Sequence, residues 1–272
     1  MPLKKRRPFT DAVLLEYQHE GRGEGSGDEY QPWVQVYDFY SDGQAATIPG
    51  IIHDRPYHTF SLGEQVYFKM LHLLYLPILK EINEQYPYPL ILTQAIANAI
   101  HVKHPTDPKS KFPVLITTDF LFTLELGKSS KKFGRTVKRL SDLDKRTLEK
   151  FEIERRLYKS INIDWKIIIA DYFPEYLAKN SITIYPHLNK HKDTEPHLLK
   201  EIITLFDALA LEKRLSIKEM ADNCDDKFGL PKGTCINYAY FLIGRRHWKI
   251  DLFKKIEESE LMPITIGDNV LV

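Results

Sequence analysis

The chain has 272 residues, 43% of them hydrophobic and 28% charged, which is enough for one sizeable domain and a smaller one. Its 38 lysine and arginine residues nearly balance 37 aspartate and glutamate residues, so a globally basic nucleic-acid binder is not indicated, and any DNA contact must come from local patches. No apolar run reaches the ~18 residues of a membrane span, and the two cysteines, Cys224 and Cys235, lack zinc-site spacing, which favours reduced thiols in a cytosolic protein.

The first part of the chain predicts a short helix, a glycine-rich loop and two strands. Thr10 is placed to cap a helix that runs to Glu20, and the alternating glycines of 21–27 follow it. No predicted strand leads into this loop and no helix follows it, so it does not match a dinucleotide-binding loop. Alternating side chains predict a strand over 33–39, with a partner strand over 45–52.

Ser61 and Glu64 have the spacing of a capping box at the start of a long helix. The apolar stripe predicts that this helix runs to about Gln85, with a kink or break at Pro77. A second helix-compatible stretch covers 90–102. By spacing alone, Glu64 is explained by its capping role as well as by a catalytic one.

Two predicted strands, 114–126 and 133–139, are joined by a turn at 127–130. As neighbours they place a carboxylate, Asp119, beside a lysine, Lys138. Mg²⁺ prefers oxygen ligands, and a nearby lysine can orient a water molecule or hold a phosphate. A metal-dependent nuclease needs such a pair, but the pair alone is a weak signal, and a lysine on an edge strand can also simply prevent aggregation.

An amphipathic helix over 141–160 and an apolar, apparently buried strand over 165–170 complete a mixed sheet with helices on its faces. The chain then becomes polar over 180–196, which predicts a domain boundary. We expect a catalytic domain over 1–180 and a second domain over 190–272.

The second domain has the element order of a winged helix. Lys232, Arg245 and Arg246 are the cations that its third helix could bring to DNA. The middle of that helix, 238–243, is too apolar for an exposed reading surface, so we expect protein docking with some DNA-backbone contact rather than base reading. The predicted elements are helices over 197–213, 216–228 and 232–244, then strands over 248–253 and 262–272.

These residues together resemble the TnsA family, the endonuclease subunits of heteromeric Tn7-type transposases. The resemblance covers nearly all of the first 175 residues, and its most specific parts are the glycine loop and the block around Arg146. The matching segments are Glu20-Gly21-Arg22-Gly23 with Gly25, Tyr30, Pro32 and Trp33; Ser61 with Glu64; Thr118-Asp119-Phe120-Leu121; Val137-Lys138; and Arg146-Thr147-Leu148-Glu149-Lys150 running into Glu154-Arg155-Arg156.

The resemblance implies an α/β fold with a restriction-endonuclease-like mixed sheet flanked by helices, followed by the winged-helix-like domain. It also implies that Glu64 and Asp119 ligate Mg²⁺, with Mn²⁺ as a substitute, and that Lys138 positions the attacking water or stabilises developing charge. The carbonyl of Val137 is a further expected ligand. Thr136 stands where the family's well-known member has glutamine, and its shorter side chain reaches a metal less directly.

The implied function is hydrolysis of the strands at the 5′ ends of a transposon during cut-and-paste transposition. The expected partners are transposon-end DNA, the DDE-type transposase subunit TnsB, which cuts the 3′ ends, and the ATP-dependent regulator TnsC. Arg22 in the glycine loop could approach the DNA backbone or belong to a plain loop. We expect a protein of the bacterial cytoplasm, associated with the nucleoid and with no membrane partner.

Two other functions remain open at this point. The first is a non-catalytic DNA-binding or scaffold subunit with a decayed nuclease site, which Thr136 favours. The second is a stand-alone restriction or repair nuclease, which would cut DNA robustly without a partner.

Overall fold

The computed structural model describes residues 7–38 and 44–267, which form two compact units. The first unit runs to Tyr67 and resumes over Ile78–Tyr172, and the second contains Phe68–Pro77 and the described chain from Phe173 onward. The change at Phe173 comes a little before the predicted linker. No helix in either described range is long and apolar enough to cross a membrane.

The elements of the first part of the chain alternate between helices and strands. They are α1 (Asp11–His19), β1 (Ala46–Pro49), β2 (Pro56–Thr59), α2 (Leu62–Tyr75), β3 (Leu79–Pro87), α3 (Leu90–Ala99), β4 (Thr117–Leu126), β5 (Ser129–Lys138), α4 (Lys145–Ser160) and β6 (Asp164–Ile169).

A four-stranded mixed sheet in the order β3-β4-β5-β6 forms the centre of the first unit. The pairs β3–β4 and β4–β5 are antiparallel, whereas β5 and β6 are parallel, with Phe120 opposite Arg135 and Val137 opposite Ile168. Helix α4 covers one face through Leu157 and Tyr158, which pack with Leu121 of β4. The mixed sheet flanked by helices is the architecture that the sequence predicted.

The predicted helix over residues 79–85 is wrong, because this segment is strand β3. Helix α2 ends at Tyr75, before Pro77, which cannot continue a helix. The strand was hidden because charged residues such as Glu84 are uncommon in strands. Glu84 is tolerated there because Arg55 pairs with both of its carboxylate oxygens, each at 2.8 Å, inside the unit.

The predicted strand over 33–39 is also wrong where the structure describes it, since residues 33–38 form bends and turns; Phe39 lies outside the described residues. Strand β1 pairs instead with β2. Trp33 is buried and contacts Tyr17 edge to face, with ring centroids 5.5 Å apart. Its side chain therefore serves packing.

Most other elements of the first unit agree with the prediction. The hydroxyl of Thr10 caps α1, the turn between β4 and β5 contains Gly127, and the helix expected over 141–160 begins at Lys145 with Asp144 as its cap. Strand β6 differs from the expectation of a fully buried strand, because its residues are partly exposed.

In the second unit, from Phe173 onward, one helix comes first and three further helices then precede a short antiparallel ladder; a winged-helix assignment stays a prediction. The capping box of Ser216 and Glu219 is present, and the apolar middle of the third of these helices is buried in the unit. The strands are much shorter than predicted, and residues 268–272 lie outside the description. The elements are α5 (Glu175–Ile184), α6 (Pro196–Glu212), α7 (Ile217–Phe228), α8 (Ile236–Gly244), β7 (Trp248–Lys249) and β8 (Thr265–Ile266).

Candidate active site

The first predicted carboxylate lies at the start of α2. Glu64 is 3% exposed, and its Oε1 accepts a hydrogen bond from Ser61 Oγ at 3.2 Å while its Oε2 accepts one from the Phe60 amide at 2.8 Å. The Glu64 amide donates to Ser61 Oγ at 3.1 Å. The capping interaction is therefore present, but capping does not require a buried carboxylate, and this burial is costly without a further role.

Gly63 explains how Glu64 becomes buried. A Cβ atom at position 63 would lie 2.9 Å from the Cβ of Ala170 and 3.3 Å from Cγ1 of Val137. Because carbon atoms pack at about 3.5–4.0 Å, a larger residue would push α2 away from β5. The glycine lets the first turn of α2 approach the strand that carries Lys138.

Asp119 and Lys138 form the pair that the two adjacent strands predicted. Asp119 is 7% exposed, and its Oδ2 accepts hydrogen bonds from Lys138 Nζ at 3.1 Å and from the Val137 amide at 2.8 Å. Both donors approach the same oxygen. Within the described part of the chain no residue donates to Asp119 Oδ1, so this oxygen is open to a further ligand.

Thr136 contacts a carboxylate that the sequence analysis did not select. Its hydroxyl donates to Oε1 of Glu154 at 3.0 Å. The hydroxyl of Thr118 and the indole Nε1 of Trp165, the latter at 2.9 Å, donate to the same oxygen. Glu154 thus connects α4 with strands β4, β5 and β6, and a metal-ligand role for Thr136 stays a prediction.

A specific sequence signal could have identified Glu154. It lies on α4 between Ile153 and Leu157 and one turn before Tyr158, three residues that form the buried side of the helix. A carboxylate within the apolar stripe of an amphipathic helix is unfavourable unless it is hydrogen-bonded. Glu149 on the same helix differs, because its side chain pairs with Arg146 near the surface.

Burial and like charge make this cluster electrostatically unusual. Burial and the nearby charge of Asp119 raise the pKa of Glu64 to about 8, against the partial opposing effect of the Lys138 ammonium. Burial, with a smaller contribution from Asp119, also raises the pKa of Glu154 to about 7. For Lys138, burial lowers the pKa, but the surrounding carboxylates outweigh it and raise the pKa overall, which keeps the ammonium charged.

The donor set fits a small hard cation in part. Glu64 and Asp119 are oxygen donors that repel each other, and Asp119 Oδ1 is open. No three His, Cys, Asp or Glu side chains in residues 7–38 and 44–267 are grouped so that they could hold a metal alone. Two carboxylates nevertheless suffice for Mg²⁺, which usually completes its shell with water and substrate phosphate oxygens.

Arg22, predicted to approach DNA, is occupied within its own unit. Its side chain is 9% exposed and donates to Asp38 at 2.7 Å and to Glu20 at 2.6 Å. The guanidinium carbon also lies 3.6 Å from the ring centroid of Tyr17. This geometry favours a structural role that orders the glycine loop, the simpler of the two predicted explanations.

The other predicted DNA-binding residues lie in the second unit. Lys232 is exposed and pairs with Asp226 at 2.7 Å. Arg245 is half-buried and donates to the carbonyl of Leu188 at 2.9 Å, and Arg246 is partly exposed with a φ of 63°. DNA contact by these three residues stays a prediction.

Comparison with known proteins shows what the sequence is similar to. The family described as "TnsA-like endonuclease N terminal" matches residues 77–170, a range that includes Asp119, Lys138 and Glu154 but not Glu64. A curated relative, "Transposon Tn7 transposition protein TnsA" from Escherichia coli, is 26% identical over 268 residues, which cover 98% of this chain and 96% of the relative. The similarity thus extends through both units.

Proposed function

Because the chain is a member of the TnsA family, we propose that it is the Mg²⁺-dependent DNA endonuclease subunit of a transposase and hydrolyses the 5′-end strands of a transposon during cut-and-paste transposition. The observation that carries the proposal is the contact between Lys138 and Asp119 on adjacent strands, with Glu64 buried beside them. The family match and the near-full-length relative support the choice of a transposon as the substrate.

In this proposal Glu64 and Asp119 hold Mg²⁺ or its substitute Mn²⁺, with the Val137 carbonyl and the Thr136 hydroxyl as additional candidate ligands. The bound ion supplies positive charge that neutralises the scissile phosphate and lowers the pKa of a water molecule. Lys138, charged because carboxylates surround it, orients the attacking water and stabilises negative charge that develops on the phosphate. Hydrolysis leaves a 5′-phosphate and a 3′-hydroxyl.

Glu154 acts as a positioning residue in the same proposal. Its Oε1 accepts from both Thr118, which precedes Asp119 on β4, and Thr136, which precedes Val137 on β5. A carboxylate that is itself buried and fixed by three donors restricts the side chains bound to it. We expect Glu154 to hold the strand ends that carry Asp119 and Lys138 in register.

The proposed partners are transposon-end DNA, the DDE-type transposase subunit TnsB and the ATP-dependent regulator TnsC. The relative's printed role in Tn7 transposition supports an assembly of this kind. We assign partner docking and flanking DNA contact to the winged-helix-like part over 190–272. Cutting restricted to the assembled complex would avoid random breaks, and the near-neutral net charge fits weak DNA binding by the isolated chain.

One observation favours a second candidate, a scaffold subunit with a decayed nuclease site. Thr136 uses its hydroxyl to hold Glu154, so the position that is glutamine in the well-known family member contributes less to a metal site here. The intact trio of Glu64, Asp119 and Lys138 argues for catalysis.

The test is strand-specific cleavage of transposon-end DNA by this chain with Mg²⁺ and its cognate transposase. We compare the wild type with Asp119→Ala and with a matched control, Glu125→Ala, which removes an exposed carboxylate from the same strand. Cleavage of the 5′ strand by the wild type and the control, but not by Asp119→Ala, supports the proposal. An uncut 5′ strand in all three reactions, with partner binding preserved, would establish the scaffold.

A further inference from the structure

Five cationic side chains lie together on the first unit, on strand β5 and helix α4. These side chains line two adjacent cavities, each of about 420 Å³. Lys131, Arg155 and Lys159 line one cavity, Lys132 and Arg156 line the other, and Ile163 lines both. We call these five cations the basic surface.

The basic surface carries five cations beside two carboxylates, Glu152 and Asp164, so an excess of positive charge remains. All five side chains are exposed, and Glu152 pairs with both arginines. Among the described residues no carboxylate forms an ion pair with Lys131, Lys132 or Lys159. For a chain that is almost neutral overall, this is a local concentration of charge of the kind that polyanions bind.

The position of the basic surface relative to the candidate active site follows from strand β5. Lys132 and Lys138 are both on this strand, and their even separation places them on the same face of the sheet. Six residues at about 3.3 Å each put them roughly 20 Å apart along the strand. At about 3.4 Å per base pair this equals roughly six base pairs of duplex DNA.

We propose that the basic surface binds the sugar–phosphate backbone of duplex DNA roughly half a helical turn from the scissile phosphate. The location of the scissile phosphate rests on the proposed nuclease function. Three of the five cations are lysines, exposed point charges that suit phosphates and are depleted at protein–protein interfaces. Contacts of this kind position a duplex without reading its sequence, so the surface would accept any flanking DNA.

The test measures binding of the full-length chain to a fluorescein-labelled 40-base-pair duplex of arbitrary sequence, by anisotropy, in Ca²⁺ and from 50 to 200 mM salt. The test variant is K132Q/K159Q. The matched control is K103Q/K109Q, which removes two exposed lysines of the same unit that lie outside the basic surface. Each lost phosphate contact lowers the magnitude of the slope of log affinity against log salt by about 0.9, so the test variant should lose about 2 from this slope and bind on the order of a hundredfold more weakly at 50 mM.

The control should bind like the wild type. Equal losses in both variants, no loss in the test variant, or no DNA binding by the wild type at 50 mM salt would each overturn the inference. If the test variant shows no loss, an acidic protein becomes the better candidate for this surface.

Cleavage assays separate the two proposals. If the wild type binds through the basic surface but never cuts DNA, the nuclease function fails alone, whereas normal binding and cutting by K132Q/K159Q would reject this inference alone.

Discussion

Thr136 donates its hydroxyl hydrogen to Glu154 Oε1 at 3.0 Å, so this residue, a candidate metal ligand, also anchors a buried carboxylate of α4. Thr118 and Trp165 donate to the same oxygen. The contact therefore connects three strands of the sheet to one helix beside Asp119. It makes Glu154 the most informative residue outside the predicted trio.

Replacing Glu154 by alanine should destabilise the protein by about 3 kcal/mol or more, because the mutation leaves three buried donors without an acceptor. Glu154→Gln retains an amide oxygen in the same place and should cost about 1 kcal/mol at pH 6, where the raised pKa of about 7 keeps the native side chain largely protonated. Urea unfolding measures both values. Equal costs for the two variants would show that the hydrogen bonds to Oε1 contribute little.

The metal-free protein should lose stability as the pH rises from about 5 to 8. The folded-state pKa of Glu64, about 8, lies above its ordinary value of 4.5, so between these values the folded state holds a proton that the unfolded state has released. Stability then falls by at most about 1.4 kcal/mol per pH unit for this group. Urea unfolding in EDTA should show this slope in the wild type and a flatter one in Glu64→Gln; parallel curves would contradict the raised pKa.

Mg²⁺ or Mn²⁺ should raise the melting temperature of the protein, because a cation relieves the repulsion between Glu64 and Asp119 and binds only the folded site. A concentration of 100 times Kd would add about 2.7 kcal/mol of stability. Asp119→Ala should abolish the increase, whereas Glu125→Ala should retain it. A thermal shift that is the same in all three proteins would place the bound metal elsewhere.

Lys138→Ala should reduce 5′-strand cleavage by about 10²–10³-fold while leaving DNA binding by the complex unchanged, since the ammonium acts on charge that develops during reaction. Lys138→Arg should not restore activity fully, because a planar guanidinium cannot replace a point charge in the contact with Asp119. Lys166→Ala, an exposed lysine on β6, is the control. Cleavage near the wild-type rate in Lys138→Ala would remove this residue from the mechanism.

Arg22→Ala should destabilise the first unit by about 2 kcal/mol, because it removes the ion pairs with Glu20 and Asp38 and the packing on Tyr17. The affinity of the Arg22→Ala variant for duplex DNA should equal that of the wild type. Arg7→Ala serves as a control, because Arg7 forms a single exposed ion pair with Glu16 and its loss should be nearly neutral. Weaker DNA binding with unchanged stability would return Arg22 to the DNA-contact role.

Local sequence patterns were sufficient wherever an element is specified by its own residues. The cap at Thr10, the helix over 216–228 and the hairpin around Gly127 were all predicted and are all present. The pairing of Asp119 with Lys138 could also be predicted, because antiparallel neighbours joined by a tight turn have a nearly fixed register.

The patterns failed where a distant partner decides the conformation. Strand β3 contains Glu84, which is stabilised there because Arg55, far away in sequence, pairs with its carboxylate. Glu154 was missed for a related reason, since its three donors come from three different strands. Periodicity shows which side of an element is apolar. It does not show which distant residues pair with a buried charge and so offset the cost of burying it.

By itself, then, the sequence determined the mixed sheet, the neighbouring carboxylate and lysine, and the resemblance to a nuclease family, because these depend on short-range spacing and on residue identity. Only the tertiary structure decided that Thr136 holds Glu154, that Arg22 is bound internally, and that five cations from β5 and α4 form one surface. Those features arise from contacts between residues remote in the chain, and the energy of such contacts depends on burial and distance, which no local pattern contains.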